Sequence, residues 1–242
     1  MTVSLPMYPF SPQTVEAFWQ RLKAAIPSPS LPATLSWPDP LLPHWQRTDL
    51  LLSQTCGFPL MTTLPDVQVV GAFLFSAPGC EGANYRSWLV VREDGQDVLE
   101  QFRGQVLAFN SSDSQSGYNS IMKMTGGPAF FSRTVASGGH RSSVALLRRG
   151  EADIAAIDCI SWALLLRDFP QELSGLKIIG QTASVPGLPL ITSAQTPATT
   201  VEALRNGLRK TVADPANSAL LSALMITGFT VLPREKWQVI FN

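Results

Sequence analysis

Gln105-Val-Leu-Ala-Phe-Asn110, followed by Ser111-Ser-Asp-Ser-Gln-Ser-Gly117, decides how the rest of this chain is read. The first half is a short apolar strand, the second a small polar loop, and a helix is predicted from Tyr118 to about Met124. A second round follows: a strand at Thr134–Ala136, the loop Gly138-Gly-His-Arg141, a helix to about Arg149, then Ala152-Asp-Ile-Ala-Ala-Ile-Asp158. Each strand empties into hydroxyls and glycines that open a helix. A helix start carries backbone N–H groups with no partner inside the helix, so such loops suit an oxyanion. The pattern points to a small-molecule binding site without naming the ligand.

Composition narrows the classes. The chain has 242 residues, 45% of them hydrophobic and 15% charged, with a formal net charge of zero. That length supports either one large core or two lobes of about 100 residues each. No basic stripe exists to track a nucleic-acid backbone, and no polybasic patch to hold a membrane surface. No apolar run approaches the roughly 20 residues of a membrane span, so no membrane insertion is expected. The three cysteines, Cys56, Cys80 and Cys159, are too few for a disulfide framework. With His44 and His140 the only histidines, their spacings offer no metal site, and no cofactor is implied.

Working outward, Thr2–Tyr8 reads as a strand, and Gln13–Ala25 as a helix with Val15, Phe18, Trp19 and Leu22 on one face and Ser11 as N-cap. Pro27, Pro29 and Pro32 form a rigid loop before a short strand at Thr34–Trp37. Asp49–Ser53 is a third strand, leading through Gln54-Thr-Cys-Gly57 to a short helix near Pro59. Val67–Phe75 is apolar throughout, as in a strand buried on both faces. Beyond the loop Ser76–Asn84 come a strand at Tyr85–Arg92 and a helix at Asp97–Phe102. After the opening stretch, a helix at Cys159–Asp168 turns Trp162, Leu165 and Leu166 inward, and Leu176–Gly180 is a strand. From Leu190 the order is strand, helix (Thr200–Val212), helix (Asn217–Met225) and a final strand, Trp237–Phe241. The tryptophans at 19, 37, 45, 88 and 162 read as core, and Trp237 as terminal packing.

This alternation predicts an α/β protein of two lobes, each a mainly parallel sheet flanked by helices. The expected lobes are residues 1–78 plus 190–242, and 84–182. Hinge crossings fall near 76–84 and 180–190, where glycine and proline gather, and the cleft between lobes is the expected ligand site.

Asn110, Ser114-Gln-Ser-Gly117, Gly139-His140, Gly150-Glu-Ala-Asp-Ile-Ala-Ala-Ile-Asp158 and Asp49-Leu-Leu-Leu-Ser-Gln-Thr-Cys-Gly57 together resemble the phosphate/phosphonate-binding components of ABC transporters. These are type II periplasmic binding proteins, and the resemblance covers nearly the whole chain in outline. It implies a solute-binding protein that closes on a small anionic or zwitterionic, oxyanion-bearing ligand, with an ABC transporter permease as possible partner and no catalysis. It nominates Ser114, Gln115, Ser116 and His140 as oxyanion ligands. Gln115 departs from the family pattern, placing an amide where a small hydroxyl residue is usual.

Read from residue chemistry alone, each position keeps a second role. Ser114, Gln115 and Ser116 are ligand contacts or helix caps. His140 is a loop histidine or an oxyanion donor, both ring nitrogens donating when it is charged. Asp158 ends an apolar strand and is either an N-cap or the partner of a cationic ligand group. Tyr8 and Tyr85 line the cleft or belong to the core. Gln54 and Thr55 face the cleft from the first lobe, and Cys56 is a structural thiol. Two rival functions are an enzyme on the same fold, similar to cytoplasmic enzymes of menaquinone biosynthesis, and a cytoplasmic ligand sensor. Met1 runs into the first strand with no basic and apolar leader before it, which predicts a cytoplasmic protein; the resemblance offers the periplasm instead.

Overall fold

The computed structural model describes residues 1–27 and 31–241. Pro29, placed in the predicted proline loop, lies outside them. The strands are β1 (Thr2–Ser4), β2 (Leu50–Gln54), β3 (Gln68–Phe75), β4 (Asn84–Tyr85), β5 (Ser87–Arg92), β6 (Val106–Phe109), β7 (Arg133–Ala136), β8 (Ile154–Asp158), β9 (Leu176–Gln181), β10 (Val185–Pro186), β11 (Pro189–Thr192) and β12 (Ile226–Thr230). The α-helices are α1 (Pro12–Ala25), α2 (Leu41–Trp45), α3 (Gly57–Thr62), α4 (Ser120–Thr125), α5 (His140–Arg148), α6 (Cys159–Asp168), α7 (Ala198–Ala213) and α8 (Ser218–Ala223). The chain packs as two compact units, Met1–Ser76 with Pro186–Asn242, and Ala77–Val185.

The first unit carries a five-stranded sheet in the order β1-β2-β11-β3-β12. Neighbouring residues on its central strands point to opposite faces. Phe73 and Leu190 join Phe18, Trp19, Leu22, Leu204 and Leu208 of α1 and α7. Ala72 and Ile191 join Trp45, Leu60, Leu64 and Trp237 on the other side. That is why Val67–Phe75 shows no polar alternation. The second unit has the order β7-β6-β8-β5-β9. Leu89, Val91, Leu107, Ile154 and Ala156 pack with Ile121, Phe130 and Phe131, while α5 and α6 pack against β8.

Both sheets are mixed where mainly parallel ones were expected. In the first unit β1 and β2 pair in parallel, while β11 runs antiparallel to both β2 and β3, and β12 antiparallel to β3. In the second, β6 is parallel to β7 and β8, but β5 is antiparallel to β8 and β9. The reason lies in the connections. β6, α4, β7, α5 and β8 form an alternating strand–helix run that gives parallel neighbours, whereas β5 and β11 come at the entry to each unit and lie outside such a run.

Other local expectations are corrected. β1 stops at Ser4, because the chain turns at Pro6 and Met7. Residues 34–37 are not a strand: Ser36 N–H bonds to Val3 O at 2.7 Å, but no ladder follows. Trp37 is 43% exposed and Leu166 55%, so neither is core. Ser11 gives α1 no side-chain cap; its hydroxyl bonds to Thr14 Oγ1 at 2.6 Å. Residues 99–102 form a 3-10 turn rather than a longer helix. Strand β12 was missed, and Arg234–Phe241 winds as a 3-10 helix instead of a strand.

Candidate functional site

In the second unit β7, β6 and β8 run the same way, so their carboxyl ends share one edge of the sheet. Open α/β sheets hold their ligands at that edge. Here it collects Asn110 after β6, His140 at the start of α5 beyond β7, and Asp158 at the tip of β8. The helix after β6 begins earlier than predicted. A π-helical turn over Gln115–Asn119 leads straight into α4, which places Gln115, Ser116 and Gly117 in its first turn.

The serines divide their roles. Ser114 is the N-cap, its Oγ accepting from Gly117 N–H at 3.0 Å. Ser116 Oγ lies 3.0 Å from His140 Nε2 and 3.5 Å from Ser114 Oγ. The Ser116 carbonyl accepts from Ser87 Oγ at 3.0 Å and Ser120 Oγ at 2.8 Å, which fixes the turn from both sides. Ser114, Gln115 and Ser116 are all buried. Gly117 is held by close approach: a Cβ there would sit 2.1 Å from Asn110 Oδ1.

Asp158 is an N-cap and more. Its Oδ1 accepts from Ile160 N–H at 3.0 Å and Ser161 N–H at 2.9 Å, and its Oδ2 lies 3.1 Å from His140 Nε2. A carboxylate facing Nε2 places a proton on that nitrogen, so Nε2–H donates towards Asp158 and Ser116. Ser116 then keeps its own hydroxyl proton to offer a ligand. The α6 N-terminus meets one oxygen of Asp158 through the Ile160 and Ser161 N–H groups, and the imidazole meets the other. Ser116 Oγ, Asp158 Oδ2 and, at 3.5 Å, Asn110 Nδ2 all meet the imidazole at Nε2, whereas a serine–histidine–aspartate relay needs the two nitrogens engaged separately. The arrangement orients Ser116 towards the imidazole.

Burial is the main influence on His140 and lowers its pKa, with Asp158 and the Ala156 backbone pulling the other way. Burial thus favours the neutral imidazole, which has one donor, over the charged form, which has two. In the first unit His44 is also pushed down, chiefly by burial and then by Arg47, with Asp49 opposing. It belongs to a buried cluster in which Ser4 Oγ is 2.8 Å from His44 Nε2 and 2.7 Å from Ser53 Oγ. Two depressed histidines mean that, just below pH ~6.5, the unfolded chain binds protons the native chain refuses. Stability is therefore complete above that pH and is lost as pH falls through it. The urea midpoint should decline between about pH 7.5 and 5.5, and His44→Gln combined with His140→Gln should flatten the slope; a midpoint constant across this window would refute the assignment.

The remaining nominated residues lie elsewhere. Tyr85 is buried at the end of β4 in the second unit. In the first unit Tyr8 is half-buried, its ring edge-on to Phe75 with centroids 5.6 Å apart. Gln54 and Thr55 end β2 and are buried, and neither Gln54 Nε2 nor Thr55 Oγ1 has a hydrogen-bond partner among the described residues. Arg141 is a surface charge, paired with Glu172 at 2.5 Å and stacked over Phe169. Sequence reasoning did not nominate Asn110, Ser87 or Ser120 as site residues. Asn110 alone carried a signal, as a polar residue at the end of an apolar strand. Among the described residues no group of His, Cys, Asp or Glu could hold a metal ion, and no helix is long and apolar enough to cross a membrane.

A family model for ABC transporter phosphonate periplasmic substrate-binding proteins matches residues 46–237, and the chain belongs to that family. Solved structures agree in fold. The binding-protein component of an ABC phosphonate transporter (PA3383) from Pseudomonas aeruginosa aligns with TM-score 0.80 and 16% identity, covering 99% of this chain and 84% of its own. PhnD1 from Prochlorococcus marinus (MIT 9301), in complex with methylphosphonate, aligns with TM-score 0.79 and 14% identity over 100% and 95%. XAC2383 from Xanthomonas citri, bound to ATP, aligns with TM-score 0.70 and 16% identity over 99% and 94%. A search of curated proteins finds no match. The family is described as periplasmic, the location the resemblance offered, and the expected cytoplasmic location finds no support in it.

Proposed function

We propose that this protein binds a phosphonate-like oxyanion at the carboxyl-end edge of the second unit and delivers it to a membrane permease from the periplasm. The reading rests above all on the convergence of Ser116 Oγ, His140 Nε2 and the first-turn N–H groups of the Gln115–Asn119 segment at one strand edge. Ser116 Oγ is the donor left to the ligand, and His140 Nε2, shared with Asp158, holds it in place before the ligand arrives. Gln115 and Tyr85 are assigned to the ligand's flank, and Asp158 to orienting His140, with a cationic ligand group as its second possible partner.

Tyr8, Gln54 and Thr55, in the first unit, are assigned as further ligand contacts. In support, Gln54 Nε2 and Thr55 Oγ1 are buried polar atoms without a hydrogen-bond partner among the described residues, a costly state that a ligand would relieve. Binding without turnover needs only a higher affinity for the closed than for the open form. The His140–Ser116–Asp158 geometry, which lacks a relay, favours this over the enzyme reading.

Titration calorimetry with methylphosphonate, phosphate and sulfate tests the proposal. Ser116→Ala should weaken the binding of methylphosphonate roughly tenfold to a hundredfold, the loss of one charge-assisted hydrogen bond, with little change in the melting temperature of the empty protein. Ser114→Ala should behave as a cap loss, costing about 1 kcal/mol of stability. No heat with any of the three anions, or equal affinity in wild type and Ser116→Ala, would remove the oxyanion assignment.

A further inference from the structure

Cys80 and Cys159 face each other in the second unit with their sulfurs 3.5 Å apart, although 79 residues separate them in sequence. Two features of the backbone hold them there. Gly79 has φ +98, and a Cβ on it would lie 3.0 Å from Cys159 Cβ and 2.8 Å from the Trp88 ring, so the loop rests directly on the cysteine. Cys159 is the first residue of α6, and its N–H bonds to Arg86 O at 2.9 Å. Cys80 N–H bonds to Ala77 O at 3.0 Å, within the loop that follows the crossing at residues 76 and 77. Cys80 is half-buried and reachable from solvent, whereas Cys159 is buried.

We propose that Cys80 and Cys159 form a reversible dithiol/disulfide site that staples the loop after the first chain crossing to the head of α6, next to Asp158. A disulfide needs its sulfurs about 2.05 Å apart, so closure takes a shift of roughly 1.5 Å, which the loop side can supply. The oxidant is a small disulfide such as oxidised glutathione. The Cys80 thiolate attacks one of its sulfurs, forming a mixed disulfide and expelling one glutathione thiolate. The Cys159 thiolate then attacks Cys80 Sγ and expels the second. Two cysteine thiols are oxidised, one external disulfide is reduced, and the two protons end on the two glutathione thiols. The two sulfurs share one S–H···S contact in which either can donate, and Cys80 attacks first because it is the less buried of the two. Asp158 opposes thiolate formation at both sulfurs, and Arg86 favours it at Cys80.

The test is on the wild-type chain. It is incubated with oxidised glutathione, its remaining thiols are alkylated, and it is mapped without reduction. Trypsin alone leaves Cys56 and Cys80 on one peptide, 48–86, so chymotrypsin must cut between them. The expected product is a Cys80–Cys159 linked peptide with Cys56 alkylated. The melting temperature of the oxidised chain should rise by roughly 5 °C or more. Dithiothreitol should reverse the rise, and Cys80→Ser should not show it. Two thiols that still alkylate, a glutathione adduct that persists on Cys80, a link through Cys56, or a linked pair without a rise in melting temperature would each overturn the proposal.

Discussion

Gly117→Ala is expected to lower both the stability of the protein and its affinity for methylphosphonate, the affinity by at least about a hundredfold. Away from any neighbour, glycine to alanine inside a helix gains up to about 1 kcal/mol. Here the new Cβ would lie 2.1 Å from Asn110 Oδ1, 2.7 Å from Asn110 Cγ and 3.1 Å from His140 Cε1. The whole Asn110 amide would have to swing away, or the first helical turn would have to retreat. Overpacking of this kind costs roughly 1–3 kcal/mol. Retreat also moves Ser116 from its 3.0 Å contact with His140, and binding is steep in such displacements. Asn110→Ala should restore much of the stability of Gly117→Ala by opening space, and a double-mutant cycle on the urea midpoints measures that coupling. A stabilised Gly117→Ala protein with unchanged methylphosphonate binding would show that Asn110 yields freely and that the packing does not shape the site.

That glycine illustrates what the sequence could and could not reveal. The strand–loop–helix succession was legible because it is written locally. Ile154–Asp158 is apolar up to a carboxylate that caps the next helix, so the β8–α6 boundary falls where the residues put it. The division of labour between Ser114 and Ser116 was not legible. It depends on the helix starting at Gln115 rather than Tyr118, which a π-helical turn through a glycine permits and periodicity does not announce. The proton on His140 Nε2 depends on a carboxylate 18 residues away, delivered by a different strand. β12 went unseen because Gly228 interrupts its short apolar run and its partner, β3, is about 150 residues away. Strand direction was equally hidden, since nothing local to β5 or β11 states which way its neighbours run. Residues on one strand or one helix turn are therefore legible, and what the sheet edges bring together is not.

The final segment supplies the other large effect. The residues Trp237-Gln-Val-Ile-Phe241 are mostly apolar and β-branched or aromatic like a strand, yet burial follows a period of three: Trp237 and Ile240 are buried, while Val239 is 43% and Phe241 51% exposed. Three residues per turn is the 3-10 repeat, and it suits a segment that lies on the core with one face. Arg234 anchors its start by donating to the carbonyls of Leu60, Leu64 and Val67. Trp237 is fully buried among Trp45, Leu60, Leu64 and Ile191, and its indole N–H donates to Gly187 O at 2.8 Å. Its ring also lies against Gly57, where a Cβ would come within 2.8 Å of Cδ1. Trp237→Ala should therefore destabilise the first unit by about 3–5 kcal/mol, one of the larger costs a single core truncation carries. Trp237→Phe should retain much of the packing and lose chiefly the hydrogen bond, leaving the Gly187 carbonyl unpaired for about 1–3 kcal/mol. Gly57 directly follows Gln54, Thr55 and Cys56, so the same truncation should loosen the loop assigned to the ligand. Hydrogen exchange can separate the two units: amides of β2 and α3 should lose protection in Trp237→Ala, while those of β6 and β8 keep theirs. Equal loss in both units, or no loss in β2, would show that this tryptophan is not what holds the first unit's core to the end of the chain.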